Sequence, residues 1–368
     1  MAEYIVSQFP SGLYTHQQQA VEKVLQRHNT VVATRTSSGK SLIYSLPVLN
    51  NLLENPSSTS LFLYPLKALA NDQHLKLRAA IDSIPALAAI ADKKDHFVSR
   101  YDGSTPDDQR QSIRSSVQLL LTNPDMLHFA LLQWHEKHWQ RFFSNLSHVI
   151  IDECHEYRGI FGTNVAYILR RLNQLCRKYG SQPTFIATSA TVSEPKQHLE
   201  LLTGLPFDCI GPDKDGSQQG RRKFWLVDSD QHYYDCGRKL TLQLAEQGLS
   251  VLTFCQSRTA VERLMSRSGG DNRDFVRVYR SGLSPQERED IELGLRNKTV
   301  RAVFTTSALE LGIDIGAIDV VICIGLPHSM MSLWQRAGRA ARAGKEGAIV
   351  LIPASTPIDS YYANHPEE

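Results

Sequence analysis

The chain has 368 residues, 42% of them hydrophobic, and its 40 basic and 38 acidic side chains leave a formal net charge of +2. That length allows two or three domains with real cores, and the near balance of charge excludes a bulk polycation, so any nucleic-acid contact must come from a local groove. Six scattered cysteines with no Cys-x-x-Cys argue against zinc or iron–sulfur sites, and with no basic-then-apolar signal and no 18-residue apolar run a soluble, cytoplasmic protein without a membrane partner is expected.

In chain order, Leu13-Tyr14-Thr15-His16-Gln17 opens an amphipathic helix through about Gln26. A glutamine just upstream of a phosphate loop can read an adenine edge, since its amide both donates and accepts, and Tyr14 could stack on the base. A polar helix start is the alternative. The next stretch, Val31-Val32-Ala33-Thr34-Arg35-Thr36-Ser37-Ser38-Gly39-Lys40-Ser41, is a short strand, a loop of small polar residues and the opening of a helix running to about Leu53. This order makes a phosphate cradle. N–H groups of Thr36–Ser41 converge on an anion at a helix N-terminus, Lys40 reaches the β/γ-phosphates of ATP, and the Ser41 hydroxyl ligates Mg²⁺. Thr34 stands where the usual motif has its first glycine.

Strands are then expected at Leu61–Pro65, Val98–Tyr101, Val117–Leu121, His148–Ile151 and Thr184–Thr188, spaced by helix-length segments, with a helix from Lys67 to about Ser83. Such alternation implies βαβ units and a parallel sheet, with ligands beyond the carboxyl ends of the strands. His148–Ile151 delivers Asp152-Glu153 to that edge. Asp152 would hold Mg²⁺ through water, and Glu153 would orient and deprotonate the attacking water. Ser189-Ala190-Thr191 ends the next strand, and its hydroxyls could bond the acidic pair. Trp134, Trp139, Phe142 and Phe143 fit a helix packed on the sheet, and Arg170, Arg171, Arg177 and Lys178 a solvated helix face.

Gly211–Gly220 offers no apolar anchor except a proline ring and reads as a linker. Alternation restarts with Phe224–Val227, Val251–Phe254, Phe275–Tyr279, Val300–Thr305, Asp319–Ile324 and Gly347–Ile352 as strands. This second α/β domain lacks a phosphate loop. It carries Gln335-Arg336-Ala337-Gly338-Arg339-Ala340-Ala341-Arg342 on an expected helix, where Arg339 and Arg342 share a face and suit reaching a γ-phosphate across a cleft. Asp314, a few residues beyond Thr305, could meet the ribose. The boundaries read are 1–210, a linker at 211–223, a second domain at 224–354 and a tail at 355–368.

Together, Gln17, Thr36–Ser41, Pro65–Ala70, Asp152–His155, Ser189–Thr191, Thr305–Asp314 and Gln335–Arg342 resemble, in order, the motifs of a superfamily 2 helicase of the DEAD/DEAH-box type. Leu13–Gln17, Asp152–Gly162 and the ending Pro357–Glu367 resemble its RecQ4-like/mitomycin-repair branch, whose members are 3′-to-5′ DNA translocases in genome maintenance. The resemblance implies two tandem RecA-like domains, each a mostly parallel sheet with helices on both faces. It implies ATP hydrolysed between them with Gln335, Arg339 and Arg342 assisting Glu153, Gly312 beside Asp314 at the nucleotide, and His155, Ser189 and Thr191 coupling its state. It also implies single-stranded or tailed duplex DNA on Lys67, Gly103, Thr122, Asn123, Arg258 and Thr305, and a nucleoid association in a bacterium. RNA as the substrate, and an ATP-driven switch subunit with little unwinding, are the alternatives. Two departures stand out. Ala341 replaces the second glycine of the arginine-rich motif, which is expected to perturb a helix turn modestly. The chain stops just past His365-Pro366, where the branch continues into a cysteine-bearing metal domain, so a core fragment or a partner protein supplying that region is expected.

Overall fold

A computed structural model of the chain describes residues 1–36, 38–190, 193–218, 220–227, 229–268, 274–310, 312, 315–341, 346–365 and 367. Packing divides it into two units, Met1–Ser217 and Gln218–Glu368.

The first unit is built on β1 (Thr30–Val32), β2 (Thr59–Leu63), β3 (Val98–Arg100), β4 (Leu119–Thr122), β5 (Leu146–Ile151), β6 (Thr184–Thr188) and β7 (Asp208–Ile210). They lie in the order β3-β4-β2-β5-β6-β1-β7, with every neighbouring pair parallel. Parallel strands require helical crossovers that cover both faces, so these strands are apolar on both sides. Leu61 and Leu63 of β2 join one core with Val149, Ile151 and Phe185, whereas Phe62 joins the other with Val32, Leu121 and Ile150. Successive residues of a strand point to opposite faces, and both faces here are sealed.

Trp139, Phe142 and Phe143 are fully buried, while Trp134 is 49% exposed. The segment carrying them is not one regular helix: wide turns at Leu127–Leu132 and His135–Trp139 break it, and Trp134 sits at the break. Lys178 and Arg171 lie on the surface, as a solvated face requires, paired with Glu136 and His128.

His148 on β5 is 7% exposed, and burial, with the Arg27 charge adding to it, pushes its imidazole down to about 4. An unfolded chain binds that proton near the ordinary value of about 6.5. The folded chain therefore keeps the full contribution of neutral His148 above about pH 6.5 and loses roughly 3 kcal/mol of it as pH falls to about 4. Thermal melts of His148→Gln between those pH values are expected to fall less steeply than those of the wild type; parallel slopes would contradict this.

The second unit contains β8 (Arg222–Leu226), β9 (Val251–Cys255), β10 (Val276–Tyr279), β11 (Ala302–Thr305), β12 (Val320–Ile324) and β13 (Gly347–Ile352). Their order is β10-β11-β9-β12-β13-β8, again parallel. Val251, Phe304, Ile322 and Val350 pack there with Leu242, Val261 and Leu264 from two helices. Of the stretch read as a linker, residues up to Ser217 pack in the first unit, and β8 already begins at Arg222. The segment read as a tail forms the Pro357–Asn364 helix, held by buried Asp359, whose carboxylate accepts Leu326 N–H at 2.9 Å and Ala354 N–H at 2.7 Å.

The six cysteines form no disulfide. Cys154, Cys176, Cys255 and Cys323 are buried, Cys209 is exposed and Cys236 half-buried.

Candidate nucleotide site

The loop between β1 and the Leu42–Glu54 helix lies at the carboxyl edge of the first sheet, where open α/β folds place ligands. Thr34 is fully buried, and its hydroxyl meets Ser38 Oγ at 2.7 Å, fastening the loop to itself. Gly39 has φ +75°, a conformation that favours glycine, and a Cβ there would lie 2.5 Å from Gln17 Nε2 and displace that amide from the loop. Thr36 occupies a half-buried turn, and Ser41 leads into the helix, its carbonyl accepting Ser45 N–H at 3.0 Å. Ser37, also expected at the cradle, lies outside the described residues.

Gln17 is placed differently from the sequence expectation. Its amide does not stand open toward an adenine edge: Nε2 donates to Gly39 O at 3.0 Å and Ser38 O at 3.4 Å, and Oε1 accepts Tyr14 N–H at 2.9 Å. The cause is local. Gln17 is the third residue of the Thr15–Leu25 helix, and its side chain folds back to cap the helix start while bracing the loop. The Tyr14 ring, 40% exposed, stacks on His16 with centroids 6.0 Å apart.

Lys40 Nζ donates to Thr34 O at 3.1 Å and Ser189 O at 2.7 Å, tying the loop to the end of β6. At the end of β5, Asp152 Oδ1 accepts a short hydrogen bond from Thr188 Oγ1, whose oxygen accepts Glu153 N–H at 3.2 Å. Thr188 thus orients both acidic residues, a role the sequence did not disclose. Burial and the neighbouring Glu153 charge raise the Asp152 carboxyl above the ordinary range, with Thr188 and Lys40 pulling the other way. Glu153 adopts φ 49°, ψ 46°, a left-handed conformation uncommon outside glycine, and its buried Oε2 has no hydrogen-bond partner among the described residues. A strained carboxylate with an unsatisfied oxygen beside a second buried carboxylate is a donor set that fits a divalent cation and an attacking water.

His155 joins the two strand ends. Its Nδ1 accepts Ala190 N–H at 3.1 Å and lies 3.5 Å from Ser189 Oγ and from Glu153 Oε2. Nε2 faces Glu156 Oε1 at 3.3 Å. Thr191 lies outside the described residues. Between Glu153 and His155 in the chain, the Cys154 thiol is buried, which pushes it up to about 12.

In the second unit the arginine-rich motif is not one helix. The Met330–Ala337 helix ends at Gly338, and Ala341 has φ 58°, so Arg339 follows the helix instead of sharing a helical face with Arg342, itself outside the described residues. The glycine the motif usually has at Ala341 serves a left-handed position, not a helix turn. Glu310 gathers the motif: its carboxylate accepts from Ser332 Oγ at 3.0 Å and Arg336 Nε at 2.7 Å, and its carbonyl from Arg339 Nη2 at 2.7 Å. Gln335 and Arg339 are 6% and 2% exposed, so the expected projecting guanidinium is here a buried one. Gly312 lies just past the Ser307–Leu309 turn, and Asp314 is outside the described residues.

The expected nucleic-acid contacts separate into two kinds. Lys67 and Gly103 are neighbours at the ends of β2 and β3: Lys67 Nζ is 3.5 Å from where a Gly103 Cβ would stand, and both are exposed. Arg258 is likewise exposed, at the start of the helix capped by Ser257. Thr122 and Thr305 are buried, however, their hydroxyls donating to Tyr101 O and Thr306 O, and Asn123 Oδ1 caps Met126 N–H. Parallel-sheet burial turns these threonine side chains inward, so that a phosphate contact there would fall to the backbone N–H groups.

Residues 14–199 match the family model for the DEAD/DEAH box helicase, and residues 234–344 that for the helicase conserved C-terminal domain. The chain belongs to the DEAD/DEAH box helicase family. It is 40% identical over 96% of its length to YprA, an uncharacterized ATP-dependent helicase of Bacillus subtilis (strain 168), and 37% identical over 96% to the ATP-dependent helicase hrq1 of Schizosaccharomyces pombe. It spans 48% and 34% of those relatives' own lengths. A crystal structure of the DUF1998 helicase MrfA bound to DNA and AMPPNP superposes with a TM-score of 0.90 at 38% identity, covering 99% of this chain and 51% of that one. The chain is similar to those proteins along nearly its whole length, and each of its units is RecA-like.

Two further residues touch the loop of this chain. His16, fully buried, approaches Ser38 O through Nε2 at 3.0 Å, and Asp215 accepts Arg35 N–H at 3.3 Å. His16 was hidden beside the more recognisable Gln17, and Asp215 within a composition that signals only loop.

Proposed function

We propose that this chain is the motor core of an ATP-dependent DNA helicase that moves 3′-to-5′, acting in the cytoplasm on the genome and serving its repair. The observation carrying the reading is the meeting of Lys40, from the loop, with the Ser189 carbonyl at 2.7 Å, beside Asp152 and Glu153 on the adjoining strand end. The MrfA complex with DNA and AMPPNP supports DNA as the track and ATP as the fuel.

Each residue has work its surroundings suit. Lys40 exchanges two carbonyl partners for the β/γ-phosphates, so ATP binding releases its hold on Ser189. Glu153, with an unsatisfied Oε2, accepts the proton of the attacking water. Mg²⁺, held by the Ser41 hydroxyl and Asp152, would neutralise phosphate charge when bound. His155 stands beside Glu153 while its Nδ1 accepts the Ala190 N–H, which would let a change at the hydrolytic carboxylate reach the Ser189-Ala190 turn. Lys67, Gly103 and Arg258 offer exposed ammonium, backbone and guanidinium donors to a sugar–phosphate strand.

ATP turnover by the chain is expected to rise at least about tenfold on adding single-stranded DNA and to be displaced less by matched RNA. Turnover indifferent to any nucleic acid would sink the motor, and preference for RNA would redirect it to an RNA track.

A further inference from the structure

Two peptide groups of the phosphate loop are turned by side chains of the Thr15–Leu25 helix. Ser38 O takes His16 Nε2 at 3.0 Å, and Gly39 O takes Gln17 Nε2 at 3.0 Å. In a trans peptide the N–H points opposite to the C=O. Drawing these carbonyls toward the helix therefore aims the Gly39 and Lys40 N–H groups the other way, as a phosphate cradle needs.

His16 is in turn backed by the segment through which the chain leaves the first unit. Its Nδ1 is buried without a hydrogen-bond partner, 3.7 Å from Asp215 Oδ1. That carboxylate, with a side chain 1% exposed, is fixed from several directions: Oδ2 accepts Arg35 N–H at 3.3 Å, and Oδ1 accepts Ser217 N–H at 3.0 Å and Ser217 Oγ at 2.6 Å. Gly216 closes the contact, since a Cβ there would lie 3.2 Å from Thr15 N. Asp215 thus holds the loop's first turn through Arg35 and sits behind the histidine that holds its last.

We propose that Asp215 and His16 are a pair of positioning residues for the phosphate loop, so that the seating of residues 215–217 sets the grip on nucleotide. The inference rests on the loop being the ATP site. Neither side chain touches the reacting atoms, so the effect belongs in affinity and not in the chemical step.

The test uses the full chain, a fluorescent ATP analogue for equilibrium titration, and steady-state turnover at saturating single-stranded DNA. Asp215→Ala and His16→Ala are each expected to weaken analogue binding and raise KM for ATP by about tenfold, with kcat changing less than about twofold. The double variant is expected to lose the same tenfold, not a hundredfold, because the two act as one unit. Asp215→Asn, which keeps an oxygen for the Arg35 N–H, is expected to recover most of the affinity even if Asp215→Ala folds poorly. Unchanged affinity in Asp215→Ala, multiplicative losses in the double variant, or no recovery with asparagine would each overturn the pairing. A wild-type chain that binds no analogue would instead remove the ATP reading beneath it.

Discussion

Replacing Lys40 with alanine is expected to lower ATP turnover by at least about 10²–10³-fold and to remove measurable binding of an ATP analogue, while single-stranded DNA binding without nucleotide persists. The ammonium is the cation that joins the loop to the end of β6, donating to Thr34 O and Ser189 O. With nucleotide present the same group is expected to face phosphate charge, in a partly buried place where a charge-assisted bond is worth more than in water. The substitution also leaves two carbonyls short of a donor, each costing about 1 kcal/mol or more where water cannot replace it. A small fall in melting temperature should therefore accompany the loss. Analogue binding in a folded Lys40→Ala chain at wild-type strength would break the assignment of this loop.

Glu153→Gln is expected to give the opposite split: binding retained and kcat reduced by about 10²–10⁴-fold. Glutamine is nearly isosteric and leaves the left-handed backbone at this position no worse than before, so folding should be preserved. What disappears is a carboxylate able to take a proton from water. Removing that charge also relieves one of the two causes that raise the Asp152 carboxyl. Rapid-mixing measurements should show ATP bound and uncleaved; unimpaired cleavage would move the base elsewhere.

The sheets were readable because strands buried on both faces must be apolar throughout, and Leu61–Leu63 or Val149–Ile151 can be little else. β7 was not, since Asp208–Ile210 is three residues long with an exposed cysteine, and its partnership with β1 depends on tertiary pairing alone. The strand, loop and helix from Thr30 to Glu54 were legible from the order of apolar residues, small polar residues and Gly-Lys-Ser. The fate of Gln17 was not, because an amide that can read a base can equally cap a helix. At Arg339, alanine-rich surroundings read as continuous helix, and the terminating signal lay in Gly338 and the left-handed Ala341. Asp215 shows the deeper limit: composition identifies a segment without an apolar anchor, but not that its carboxylate finds a backbone N–H far back in the chain.

The uneven burial of the thiols has a practical side. Cys209 belongs to the first RecA-like unit and Cys236 to the second, and the other four sulfurs are sealed inside. Each unit therefore carries one thiol open at least in part to solvent, so that a donor–acceptor dye pair in the unaltered polypeptide could test whether the distance between the units changes when nucleotide is added.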